Sequence, residues 1–168
     1  MAAIDAMRTI IEAKNASVIK TINDNSVDER IERFLTLATP IKKLIKVSES
    51  DESGPEKICC EWLDVRDHLK NSSASSYGSA QNKKKYLEAF ESYFVKALTS
   101  GHFAAVLLMP NREMLLKAKE KMTSLELRQG IDYLSKNGVD EAWLIQWLEN
   151  GVEVLQVRSL IVGLYNLV

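Results

Sequence analysis

Few residues of this chain carry reactive groups, and their spacing argues against a catalytic centre. The only histidines are His68 and His102, and the only cysteines are the adjacent pair Cys59 and Cys60. Nucleophilic catalysis needs a nucleophile within hydrogen-bond reach of a base that a third group orients. Nothing in the sequence pairs either thiol with a histidine in that way. His68 stands beside Asp67 in a charge-rich segment and reads as a solvated side chain. Metal binding lacks a framework too, because no CxxC, HExxH or EF-hand spacing occurs. The seven glycines are scattered rather than gathered into a phosphate-binding loop. Acidic pairs such as Asp28 with Glu29 and Asp140 with Glu141 are what helix amino termini favour through the helix dipole. No catalytic, metal-ligating or cofactor-binding residue is expected, and the chain does not read as an enzyme.

What remains is charge that could meet a partner. Lys42, Lys43 and Lys46 fall on one side of a predicted helix, and Lys83, Lys84 and Lys85 open another, so both groups are candidate contacts for an acidic protein surface. Ser48 and Ser50 are followed by acidic residues, a pattern that suits phosphorylation. The chain as a whole is balanced, with 22 basic and 23 acidic side chains among 168 residues. Nucleic-acid binding is not expected, since it needs a basic surplus on one face. No run approaches the roughly 18 apolar residues that would span a bilayer. Neighbouring thiols point about 100° apart on a helix, so a disulfide between Cys59 and Cys60 would be strained. A reducing, cytoplasmic setting is the expectation.

The elements that position these residues are helical. Apolar residues make up 46% of the chain and charged ones 27%, an ordinary globular balance for a single domain over 1–168. Ile4, Met7, Ile11, Val18 and Ile22 predict a helix over 3–22. Ser26 and Glu29 have the spacing of a capping box that starts the next helix. Its apolar positions are Ile31, Phe34, Leu35, Ala38, Ile41, Leu44 and Ile45, and Pro40 should kink or divide it. Residues 47–54 and 71–82 are polar and predict flexible loops, the second being too poor in apolar side chains to offset its ordering entropy. Between them Ser53 and Glu56 form a second possible box, with Pro55 at the helix start. Residues 83–168 form the carboxy-terminal helical part. Tyr86, Leu87, Phe90, Phe94 and Leu98 share one face there, with Ser100 and Gly101 as the stop. Residues 102–109 predict a buried helix rather than a strand, and Thr123 with Glu126 a third box. The fold expected is all-α, an irregular multi-helix bundle or an armadillo-like stack of about eight helices.

The best-defined stretch is 140–155. Asp140 can cap a helix, Gly151 can close it, and Trp143, Leu144, Trp147 and Leu148 fall on one face. A helix after Gly151, with Val152, Leu155, Leu160 and Leu164, should cover that face. The carboxy-terminal third resembles the start of the armadillo-type regulatory region of formins. The likeness rests on Leu134, the turn Ser135-Lys136-Asn137-Gly138, Trp143, Trp147, Gly151 and Val152 to Leu155. The segment Tyr93 to Gly101 and the pair Met109-Pro110 extend it. That resemblance implies a regulatory module without catalytic activity, which binds a Rho-family GTPase in control of actin assembly and keeps both indoles in its core. The later repeats of that family have no counterpart here.

The expected function is thus a non-catalytic regulatory or adaptor module that binds a protein partner, with a Rho-family GTPase implied by the resemblance. The alternative is a small helical viral or pathogen protein that self-associates and binds host or nucleoprotein partners. Apolar to its last residue, the segment LIVGLYNLV offers a surface for a homo-oligomer.

Overall fold

The computed structural model describes residues 9, 11–16, 25–51 and 53–150 of the chain. The protein is all-α, and no strand occurs among the described residues. Residues 9 and 11–16 are helical and exposed. The rest of the helix expected over 3–22, the side chain of Ser26, and the helix expected after Gly151 lie outside the described residues.

Helix α1 (Asn25–Ser48) runs through Pro40 without interruption. Of the two outcomes expected at Pro40, a kink or a division, the division does not occur, and the reason lies in a second helix, α2 (Pro55–Asn71). Pro40 has no amide to donate to the carbonyl of Thr36, one turn earlier. His68 on α2 places Nε2 2.9 Å from that oxygen. With its proton on Nε2, the imidazole replaces the missing donor. A helix can lose one internal bond when a neighbouring side chain supplies another donor.

At the start of α2 Pro55 takes the first helical position, as expected. The expected Ser53–Glu56 box does not form. Gly54 is the cap, and Ser53 Oγ is buried without a partner.

Residues 71–82, expected to be a flexible loop, contain a 3₁₀ turn (Ala74–Tyr77). Tyr77 anchors it: the ring is buried, and the hydroxyl donates to the Leu69 carbonyl at 2.7 Å. One aromatic side chain fixes a stretch whose average composition argued against order. Gly78 then turns the chain at φ +80°, a conformation that favours glycine. Ser79 caps α3 (Ala80–Ala97) by accepting from the Asn82 amide at 3.1 Å. The lysines at 83–85 therefore sit inside the helix rather than opening it. Ser100 and Gly101, expected to stop α3, instead begin α4 (Ser100–Leu107).

Helix α4 is the centre of the bundle, with Phe103, Ala104, Val106 and Leu107 all buried. It packs between α2 and α6 (Ser124–Lys136), and α5 (Arg112–Lys121) closes one side. The box of Thr123 and Glu126 forms as predicted: the Thr123 amide donates to Glu126 Oε2 at 2.8 Å, and the Glu126 amide to Thr123 Oγ1 at 3.3 Å. Gly138 closes α6 at φ +86°, letting the Val139 amide reach back to the Leu134 carbonyl at 3.0 Å. Asp140 Oδ1 accepts from the Trp143 amide at 2.7 Å and so starts α7 (Glu141–Asn150) as expected.

The α4–α6 contact depends on one missing side chain. A Cβ on Gly130 would come within 3.1 Å of the Phe103 carbonyl carbon and 3.2 Å of the Ala104 nitrogen, both backbone atoms with little room to move. In an exposed helix, alanine at a glycine position gains about 1 kcal/mol. Here overpacking opposes that gain, at about 1–3 kcal/mol. Urea denaturation should find Gly130→Ala less stable than the wild type; a stabilised variant would show that α4 and α6 separate freely.

Candidate functional site

The histidines and thiols are each engaged by the fold. His102 Nδ1 accepts from the Thr99 amide at 3.2 Å and lies 2.9 Å from Thr99 Oγ1, so the imidazole helps cap α4. Burial holds its pKa below the ordinary 6.5, which favours the neutral form this bond needs. His68 is held by the Thr36 carbonyl, as described. Both cysteines are free thiols. Burial pushes Cys59 far up, and burial with acidic neighbours pushes Cys60 up to about 11. Neither supplies thiolate near neutral pH. Among the described residues no group of three His, Cys, Asp or Glu side chains could hold a metal ion. None of the helices described is long and apolar enough to cross a membrane.

The strongest polar feature is one that residue patterns did not single out. Arg66 on α2 is only 3% exposed and Glu126 9%. The guanidinium grips both carboxylate oxygens of Glu126, the Oε2 contact at 2.9 Å. It also donates to the Lys121 carbonyl at the end of α5 (2.6 Å) and lies 4.3 Å from the centre of the Phe94 ring on α3. Burial alone would raise the Glu126 pKa, yet the bonds from Arg66 and Thr123 outweigh it and hold the carboxyl below the usual range. The sequence carries a signal for this pair. Arg66 lies three residues after Leu63 and three before Leu69, on the buried stripe of α2, where a charge requires a partner.

Of the six candidate lysines, two are committed elsewhere. Lys43 pairs with Glu61 on α2 at 2.7 Å. Lys83 donates to the carbonyls of Lys70 (2.7 Å) and Ser72 (2.6 Å), and so caps the end of α2. Lys84 is exposed, 3.9 Å from Glu88. Lys42, Lys46 and Lys85 are exposed and form no ion pair among the described residues. The two groups lie on different helices, α1 and α3.

Trp143 and Trp147 stack with ring planes 2° apart and centroids 6.3 Å apart. Trp147 is buried and Trp143 half-buried. Part of the cover comes from an unforeseen direction: Trp147 Nε1 donates to the Leu107 carbonyl at the end of α4 (2.8 Å). Arg112 in turn donates to the carbonyls of Trp147, Leu148 and Glu149, at 2.7, 2.9 and 3.1 Å. A cation at a helix carboxy terminus is favourable there.

The surface with unused capacity is apolar. α1 sits on α2 through Leu37 and Leu44, yet its apolar arc is wider than that contact. Between α1 and α3 lies a groove of about 350 Å³. Phe34, Ile41, Tyr86 and Tyr93 form its rims, over a floor that includes Trp62 and Phe90. Phe34 is 68% exposed and Tyr93 66%, unusual for rings in such numbers. No carboxylate, imidazole, thiol or amine lines the groove, and its hydroxyls are those of Tyr86 and Tyr93. Periodicity marked Phe34 and Ile41 as apolar positions but could not say which of them a neighbour would cover.

Two outcomes follow. Glu126→Gln leaves the Arg66 charge buried and unpaired, which should cost about 3–5 kcal/mol in chemical denaturation; a loss under 1 kcal/mol would mean the pair contributes little. Acidification should weaken the fold as pH falls through 6.5, because the unfolded chain binds a proton at His102 that the folded chain resists. His102→Gln, which can still accept the Thr99 amide, should remove that part of the slope when urea midpoints at pH 7 and about pH 5 are compared. Below the ordinary carboxylate value of 4.5 the stabilisation from Glu126 is lost as well.

No protein-family model, no curated protein and no solved structure matches this chain.

Proposed function

We propose that the protein is a non-catalytic helical adaptor that binds a protein partner through the apolar groove between α1 and α3. The observation that carries this reading is the groove itself, an exposed cleft lined by apolar and aromatic side chains, with hydroxyls only from Tyr86 and Tyr93. An apolar cleft between two helices suits the apolar face of a partner helix, and Tyr and Phe are the side chains that interfaces favour. The formin resemblance supplies the partner to test first, a Rho-family GTPase in control of actin assembly. Two free thiols support a cytoplasmic setting.

Affinity capture with the full chain tests the adaptor reading. A partner bound by the wild type should be lost about tenfold with Tyr93→Asp, whose side chain is exposed and whose loss leaves the fold intact. Equal capture by both chains removes the groove as the recognition surface. For the GTPase, preferential binding of the GTP-loaded form is expected, and equal or absent binding to both forms eliminates it.

A further inference from the structure

Among its described side chains α1 buries only Leu44, which is 5% exposed. That leucine belongs to a small apolar cluster with Val65, Leu69 and Tyr77, and Leu37 packs beside it. No described residue of α1 belongs to the main core around α4. The polar links from α1 to α2 lie at the surface: Lys43, 62% exposed, pairs with Glu61, and His68 meets the Thr36 carbonyl. An ion pair that exposed contributes little. The helix also depends on α2 for its own continuity. Pro40 stands in mid-helix, where it removes one bond and crowds the turn before it. The donor that makes up the loss, the His68 imidazole, belongs to α2. Thr36, Thr39, Ile41 and Ile45, on either side of Pro40, are β-branched and favour helix weakly. Away from α2, Pro40 would divide α1 into two short pieces, and short isolated helices are marginal in water even with better residues.

We propose that α1 is a strap that opens from α2 and melts as one unit while α2 to α7 stay folded. Docking and helix formation are then a single step, because the contact that buries Leu44 also brings His68 to the Thr36 carbonyl. Such an order–disorder step in one segment is a common form of switch. Opening removes the wall of the groove that Phe34, Leu37 and Ile41 provide, so the groove exists only while the strap is docked. The opening follows from the packing of α1 alone; its use as a switch rests on the adaptor reading.

Amide hydrogen exchange of the full chain, followed residue by residue by NMR at low urea concentrations, tests the strap. Protection over residues 41–47 should be about a hundredfold below that over residues 104–107 of α4. Its urea dependence should be shallower than that of α4 yet not zero, because opening exposes only part of the surface that global unfolding exposes. Leu44→Ala should lower protection in α1 about tenfold. Val106→Ala truncates a side chain buried in α4 and should lower protection there about tenfold. It should leave α1 unchanged, since Val106 stays packed when the strap is open. Equal protection and equal urea slopes in α1 and α4 would make them one cooperative body and overturn the proposal, as would an equal loss in both with Val106→Ala. The same result would follow if residues 1–24 or 151–168 held α1 down. Protection in α1 that does not respond to urea overturns it too, because exchange then comes from fraying. The free chain is measured throughout, so the adaptor reading, which Tyr93→Asp decides, stands or falls separately.

Discussion

Four helices meet at a single guanidinium. Arg66 projects from α2, holds Glu126 at the start of α6, donates to the last turn of α5 and covers the Phe94 ring of α3. Glu126 is at the same time half of the capping box that begins α6, so one carboxylate both starts a helix and fixes where it docks. Desolvating two charges is costly, and such a pair persists only when every remaining donor and acceptor is met. That condition is nearly satisfied here, because the Lys121 carbonyl and the Thr123 amide take up the capacity the ion pair leaves over. A change in the angle of any one of these helices would break the arrangement.

The same demand recurs throughout the bundle. Short helices have many ends, and each carboxy-terminal end leaves carbonyls without internal partners. Arg112 serves α7, the Trp147 indole serves α4, and Lys83 serves α2. His68 serves a carbonyl freed inside α1 by Pro40. In each case the donor comes from a different helix or from far along the chain, so capping and tertiary packing become one requirement. The same demand takes up side chains that could otherwise react. The histidines and several of the cations are occupied in holding backbone, and the thiols sit where burial keeps them protonated.

Against that well-satisfied interior, α1 stands out. The helix attaches to the bundle along a narrow strip and presents most of its large apolar side chains outward. Burying each of them would contribute on the order of 1.5–3 kcal/mol. Both the groove and the weak hold on α1 come from that one imbalance.

The sequence by itself determined the helical class and most helix boundaries. Asp140, and Thr123 with Glu126, act within four residues of themselves, and the period of apolar side chains is equally local. Only the tertiary structure decided which donors meet distant carbonyls, that Tyr77 anchors residues 71–82, that α1 passes through Pro40, and that Gly130 lets α4 and α6 touch. It likewise decided that Arg66 is buried and Phe34 is not. The division has a physical origin: backbone bonds of three to four residues are set by neighbours in the chain, whereas burial is set by which faces meet in space. A stripe of apolar residues reads the same in sequence whether a neighbour covers it or leaves it open.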